Sequence, residues 1–169
     1  EFGMGTLYKF FENKENLYKA LIMEQAMNCH EKIIHTFRED SDPLSTIRRY
    51  VEVRREIFFS NLPLMRLYFA ETTGASFNLK SGLDKDILKL YDELINELKS
   101  TFERGVKIGV FRRLDAQSMS LALEGALKAL LWRFIDDPSA NAELENTSIL
   151  TDIFFHGVLA PGQGIEVFT

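Results

Sequence analysis

What most limits the fold of this chain is the spacing of its apolar residues. They recur every three or four positions along nearly all of the 169 residues, and no run alternates apolar and polar for long enough to argue for a sheet. The 4 prolines and 10 glycines read as joints between these periodic stretches. The chain is therefore expected to be all-α, a bundle of about eight helical pieces.

Local chemistry marks the joints. Asn13 is a good N-cap for a long helix reaching about Phe37, with Leu17, Leu21, Cys29, Ile33 and Phe37 as its apolar row and Tyr18, Ile22 and Ala26 flanking it. Asp42-Pro43 opens a second helix, carrying Leu44, Ile47, Val51, Ile57 and Phe58. Asn61-Leu62-Pro63 stops it and starts a short one through about Ala70. Ile87, Leu90, Leu94, Leu98, Phe102 and Val106 share one side of a helix from Leu83 to Ile108, with Gly109 as its stop. Asp115 caps a helix to about Asp136, and a last helix covers roughly Glu143 to Leu159.

The helix from Asp115 to Asp136 is apolar on two sides. Leu121, Gly125, Ala129 and Trp132 form one stripe; Met119, Leu123, Ala126, Leu130 and Phe134 form the other. Such a helix must be covered twice. A central core helix and a helix shared between its own core and a second subunit fit the pattern equally.

Composition excludes several classes. Hydrophobic residues make up 46% and charged residues 27%, enough for a sizeable core. No apolar run approaches the roughly 18 residues of a membrane span, so no membrane partner is expected. One cysteine, Cys29, excludes an internal disulfide and any multi-cysteine metal site, and points to a reducing, cytoplasmic setting. A net charge of -5 argues against a broadly basic nucleic-acid binder but not against one small basic module.

Catalysis and metal binding find no support. His30 and His35 point about 140° apart on a helix, against the spacing of four that zinc proteases use. No phosphate loop, nucleophile elbow or Glu-x-x-His pair occurs, so neither enzyme activity nor a cofactor is expected. Arg48-Arg49 and Arg54-Arg55 read as solvated helix surface, and Arg112-Arg113 as part of a loop. Phe58, Phe59, Met65, Tyr68, Phe69, Tyr91 and Trp132 are candidates to line a pocket for a flat or greasy ligand, with Arg66 and Glu71 as polar contacts. The same aromatics fit a filled core.

The opening is the most specific motif. Gly5, Thr6, Leu7, Tyr8, Phe11, Lys14 and Leu17 spell G-T-L-Y-x-x-F-x-x-K-x-x-L. This resembles the end of the DNA-binding domain in the tetracycline-repressor (TetR) family of bacterial transcription regulators. The stretch from Glu103 to Asp115, ERGVKIGVFRRLD, resembles the joint before that family's last two helices. The helix order fits along the whole chain, while specific residue matches concentrate in positions 3–21.

The resemblance implies a division of the chain. Residues 1–18 would be the remnant of a helix-turn-helix domain, with the recognition helix and the start of the next. Residues 19–169 would be a TetR-like ligand-binding and dimerisation domain. Thr6, Tyr8, Lys9 and Lys14 would contact DNA, Lys14 at a helix N-terminus that already favours phosphate. The two helices that precede the recognition helix in the family are absent from this sequence, so operator binding is expected of the full-length protein only.

The implied function is a ligand-responsive transcriptional regulator, a repressor released from its operator by a small apolar or aromatic effector. It would pair as a homodimer through its last two helices, which would settle the two-sided helix in favour of a subunit contact. The alternative is a helical small-molecule-binding or interaction module with no DNA function.

Overall fold

The computed structural model describes residues 13–38, 42–63, 65–66, 80–136 and 148–159. Among them are five helices: α1 (Lys14–Arg38), α2 (Pro43–Ser60), α3 (Lys80–Lys107), α4 (Ala116–Asp136) and α5 (Ser148–Val158). The expected all-α class holds. The short helix expected after Asn61 is described only in its first turn, at 62–63 and 65–66.

The expected caps close the helices. Asn13 Oδ1 accepts the Asn16 amide at 2.8 Å, and Asp115 Oδ2 accepts that of Ser118 at 2.7 Å. Asp42 accepts the amides of Leu44 and Ser45, both at 3.0 Å, with Pro43 at the first helical position. Hydrogen bonds from Ser45 first, and from the neighbouring amides, hold the Asp42 carboxylate below its usual range against a small burial penalty.

A depressed folded pKa means stability that is fully present above the ordinary aspartate range and is lost as pH falls through the folded value. Asp42→Ala should therefore cost about 1 kcal/mol near neutrality. The difference from wild type should shrink once the pH drops below about 4. Urea melts of both proteins at pH 7 and pH 3 check this; equal gaps at the two pH values would contradict it.

α3 packs on α1, α2 and α4, and α5 packs on α4. The core lies between them, with Ile47, Tyr50, Val51, Leu98, Phe102, Leu123, Leu127 and Phe155 fully buried. Along α3 the expected stripe is buried at Leu94, Leu98 and Phe102 and half-buried at Ile87, Leu90 and Val106. On α1 the expected row is only partly right. Ile33 and Phe37 are buried, but Leu21 is exposed, and of the flanking residues Ile22 is buried.

The α3–α4 joint is built around two glycines. Gly109 has φ +79°, the left-handed value that glycine tolerates best. A Cβ on Gly105 would overlap the Phe111 ring, which is itself buried against Phe102. Arg112 then ties the joint to the end of α5: its amide donates to Val158 O at 2.7 Å and its Nη1 to Gly157 O at 2.6 Å. α1 is fastened to α3 by His30 Nε2 and Glu93 Oε2, 2.9 Å apart.

Candidate functional site

α2 lays Tyr50, Arg54 and Phe58 one turn apart, so the three share a face. Opposite them α4 carries Glu124 in the middle of its buried stripe, between Leu123 and Leu127. The Tyr50 hydroxyl donates to Glu124 Oε2, and Arg54 Nη2 donates to Oε1 at 2.6 Å. Both carboxylate oxygens are thus satisfied, while the Glu124 side chain is 4% exposed and that of Arg54 24%. Arg54 Nε is buried and has no hydrogen-bond partner among the described residues.

Electrostatics follow burial. Desolvation pushes the Tyr50 phenol well above its ordinary pKa, Glu124 adding to the rise and Arg54 opposing it. Tyr50 therefore stays a neutral donor. Burial alone would lower the Arg54 guanidinium, but Tyr50 and Glu124 outweigh it and hold the cation. Tyr91 on α3 is 39% exposed. Its pKa rises, chiefly through desolvation.

A second polar layer joins α1 to α2. Gln25 Nε2 donates to Asn61 Oδ1 at 2.6 Å, and Asn61 Nδ2 donates to Ile57 O at 2.7 Å. The same two amides reach Cys29 Sγ at 3.7 and 4.0 Å. Desolvation raises the Cys29 thiol despite Gln25, Lys32 and Arg54.

An ion pair in an apolar core loses much of its attraction to desolvation, and apolar residues of similar volume often replace it at no loss of stability. Its presence across the centre of the bundle marks it as a candidate recognition group. The expectation that Arg54 lies in solvated surface is therefore corrected: its partner Glu124 sits across the bundle. Glu124 and Tyr50 were missed as site residues. The signals in the sequence were an acidic residue inside the apolar run from Leu121 to Ile135, and the four-residue step from Tyr50 to Arg54.

The expected aromatic residues divide. Phe58 and Phe59 meet Phe134 of α4 edge-on, with centroids 6.1 and 4.7 Å apart, and Met65 packs half-buried on the same core. Tyr91 is exposed on α3, and Arg66 is exposed as well. Tyr68, Phe69 and Glu71 lie outside the described residues, as does the Trp132 side chain. So do Thr6, Tyr8 and Lys9; Lys14 begins α1, but its side chain is not among those described. A separate open cleft of about 320 Å³ runs between α1 and α2, lined by Lys32, His35, Arg49, Glu56 and Asn61 among others. None of the expected aromatic residues lines it.

Among the described residues no helix is long and apolar enough to cross a membrane. No family model matches the chain. The HTH-type transcriptional regulator RutR of Escherichia coli K12 is 30% identical over 115 residues, 68% of this chain and 51% of RutR. The chain thus spans about half the length of the curated relatives it matches. In structure it is similar to the TetR-family regulator PfmR from Thermus thermophilus, with a TM-score of 0.72 at 21% identity over 91% of this chain and 81% of PfmR. It is also similar to the transcriptional regulator FadR from Bacillus subtilis, solved in complex with stearoyl-CoA. There the TM-score is 0.66 at 18% identity over 90% of this chain and 78% of FadR. The chain has the TetR-family fold, and its likeness to transcriptional regulators runs through both sequence and structure.

Proposed function

We propose that this chain is the ligand-binding and dimerisation part of a ligand-responsive, DNA-binding transcriptional repressor, with the remnant of its helix-turn-helix in residues 1–18. The observation that carries this reading is the buried Tyr50–Arg54–Glu124 cluster in the core of a TetR-type bundle. It is a polar group poised to recognise a small molecule, flanked by the Phe58–Phe59–Phe134 apolar wall. FadR from Bacillus subtilis, similar in fold, was solved in complex with stearoyl-CoA, which supports a small-molecule role for this chain.

Coupling to DNA follows from α1. That helix leads from Lys14 into the core and is fastened to α2 through Gln25–Asn61 and to α3 through His30–Glu93. An effector that parts α2 from α4 tilts the helix that leads to the DNA-contacting end. Recognition helices of a dimer must stay about 34–36 Å apart to fill two half-sites. The effector shifts the operator equilibrium only as far as it prefers the splayed state.

The test uses the full-length protein with its own promoter region in a gel-shift assay, followed by a small-molecule screen for release. A near-palindromic site should be retarded and then freed by an apolar or aromatic compound. A full-length protein that ignores its promoter would sink the regulator and leave a binding module without DNA function.

A further inference from the structure

We infer that the open cleft between α1 and α2 is a binding site of its own, outside the core, for a small organic oxyanion: a carboxylate or phosphate on a short apolar body. Lys32 on the α1 wall and Arg49 on the α2 wall hold the anion, with His35 as a further cation when protonated. The inference goes beyond the reading of the core and needs neither an effector there nor operator binding.

Two helix faces make the cleft. On α1, Lys32, His35 and Thr36 stand at i, i+3 and i+4; on α2, Arg49, Val53, Glu56 and Ile57 stand at i, i+4, i+7 and i+8. The volume of about 320 Å³ is that of a small-molecule pocket at the lower end of the usual range. Both ends are fixed. Gln25 Nε2 donates to Asn61 Oδ1 at 2.6 Å across one end. At the other the chain itself passes from the end of α1 at Arg38 to the start of α2 at Pro43. The walls are therefore held apart before any ligand arrives, which lowers the cost of binding.

Charge selects the occupant. Lys32, Arg49 and His35 line the cleft against one carboxylate, Glu56. The cleft is thus locally positive on a chain whose net charge is -5, and a concave wall of one sign concentrates ions of the other. Lys32 and Glu56 share the cleft, yet neither has an ion pair among the described residues. Lys32 is left to engage a ligand. Neutral lining groups are already committed: the Thr36 hydroxyl donates to Ile33 O at 2.7 Å, and the Asn61 amide is used on Gln25 and Ile57. The strongest donors that remain are the charged ones, and an arginine fork pairs carboxylate or phosphate through two N–H groups. Buried Ile57 and half-buried Val53 add apolar surface to the α2 wall. A bare ion leaves that surface uncovered; a neutral compound gains only that surface; a cation meets repulsion.

Four probes of similar size decide the class: phenyl phosphate, benzoate, benzyl alcohol and the benzylammonium cation. Each is titrated at fixed ionic strength into the whole chain labelled with nitrogen-15, following the backbone amide signals. Phenyl phosphate and benzoate should shift the signals of Lys32, His35, Arg49 and Val53. They should bind roughly tenfold or more tightly than the other two, and the tighter anion names the head group. Lys32→Gln with Arg49→Gln changes two exposed residues. It should weaken both anions roughly tenfold and leave benzyl alcohol as it was. Glu56→Gln removes the opposing charge and should tighten the anions about threefold. Lys89→Gln with Lys99→Gln takes the same charge from α3 and should change nothing. Equal binding of benzyl alcohol, tighter binding of benzylammonium, or no shift with either anion overturns the inference. So does anion binding that survives the Lys32–Arg49 variant or falls as far in the α3 variant, which is an adventitious ion only. Shifts centred on Tyr50 and Glu124 would move the ligand to the core, overturning this inference and leaving the reading of the core standing.

Discussion

Glu124→Ala should destabilise the domain by about 3 kcal/mol, the lower end of the range for breaking a buried pair. The lower end applies because the Arg54 side chain is 24% exposed and water recovers part of the loss. Removing the carboxylate strands the guanidinium in the core and takes away the acceptor of the Tyr50 hydroxyl. For a chain of this length a loss of that size lowers Tm by roughly 6–12 °C. Urea melts with an unchanged m-value measure it directly. A loss below about 1 kcal/mol would mean that water already reaches the pair, and it would weaken the case for a desolvated recognition group.

The double replacement Arg54→Met with Glu124→Leu gives the contrasting result. Both charges leave together, similar volume fills the space, and only the Tyr50 hydroxyl loses its acceptor. Stability should recover to within about 2 kcal/mol of wild type, the remainder being the cost of the unpaired hydroxyl. Full-length protein carrying this pair should still bind operator and should lose its response to effector. That combination separates a recognition role from a structural one, since a merely structural pair would leave the response intact once stability is restored.

Much of the fold was legible because its joints are local. A cap needs only a side-chain oxygen two or three residues from an amide, so Asn13, Asp42 and Asp115 could be read directly. Gly109 needed only its place after an apolar stripe. Helix faces were harder. Residues four apart advance about 40° beyond a full turn at each step, so a strict row of fours winds around the helix. This is why Ile33 and Phe37 face the core while Leu21, in the same row, does not. The winding also explains why the row on α3 is buried in its middle and half-buried at its ends.

The polar cluster was hidden for a different reason. Arg54 and Glu124 are separated by 70 positions, and each alone looks like an ordinary charged residue of a helix. Only the crossing of α2 over α4 gives them to each other. The same holds for Arg112, whose role in tying α5 to the joint depends on two carbonyls 45 and 46 residues away, at Gly157 and Val158. Phe134 was placed on the right stripe of α4, but its edge-on contact with Phe58 and Phe59 required the same crossing.

Leu121→Glu combined with Ile153→Glu should turn the proposed dimer into a monomer. In the single chain Leu121 is 45% exposed and Ile153 is 68% exposed, and Ala122, Gly125, Ala129 and Gly157 lie on the same exposed sides of α4 and α5. The opposite stripe of α4, with Met119, Leu123 and Phe134, is buried in its own core. Gly125 and Gly157 add an independent argument. A glycine inside a helix costs about 1 kcal/mol relative to alanine, yet a Cβ at either position meets nothing within 4 Å in its own chain. Close approach of a second subunit gives such glycines a purpose. A twofold contact sets the same patch against itself, so each acid introduced faces its own copy across chains that already carry a net charge of -5. Sedimentation velocity should then show half the mass of wild type with helicity unchanged. Operator affinity of the full-length variant should fall by roughly 10²–10⁴-fold as the second half-site becomes an independent binding event. Met27→Glu, which charges an equally exposed apolar residue on α1, should change neither. A double variant that keeps the wild-type mass would move the subunit contact off α4 and α5.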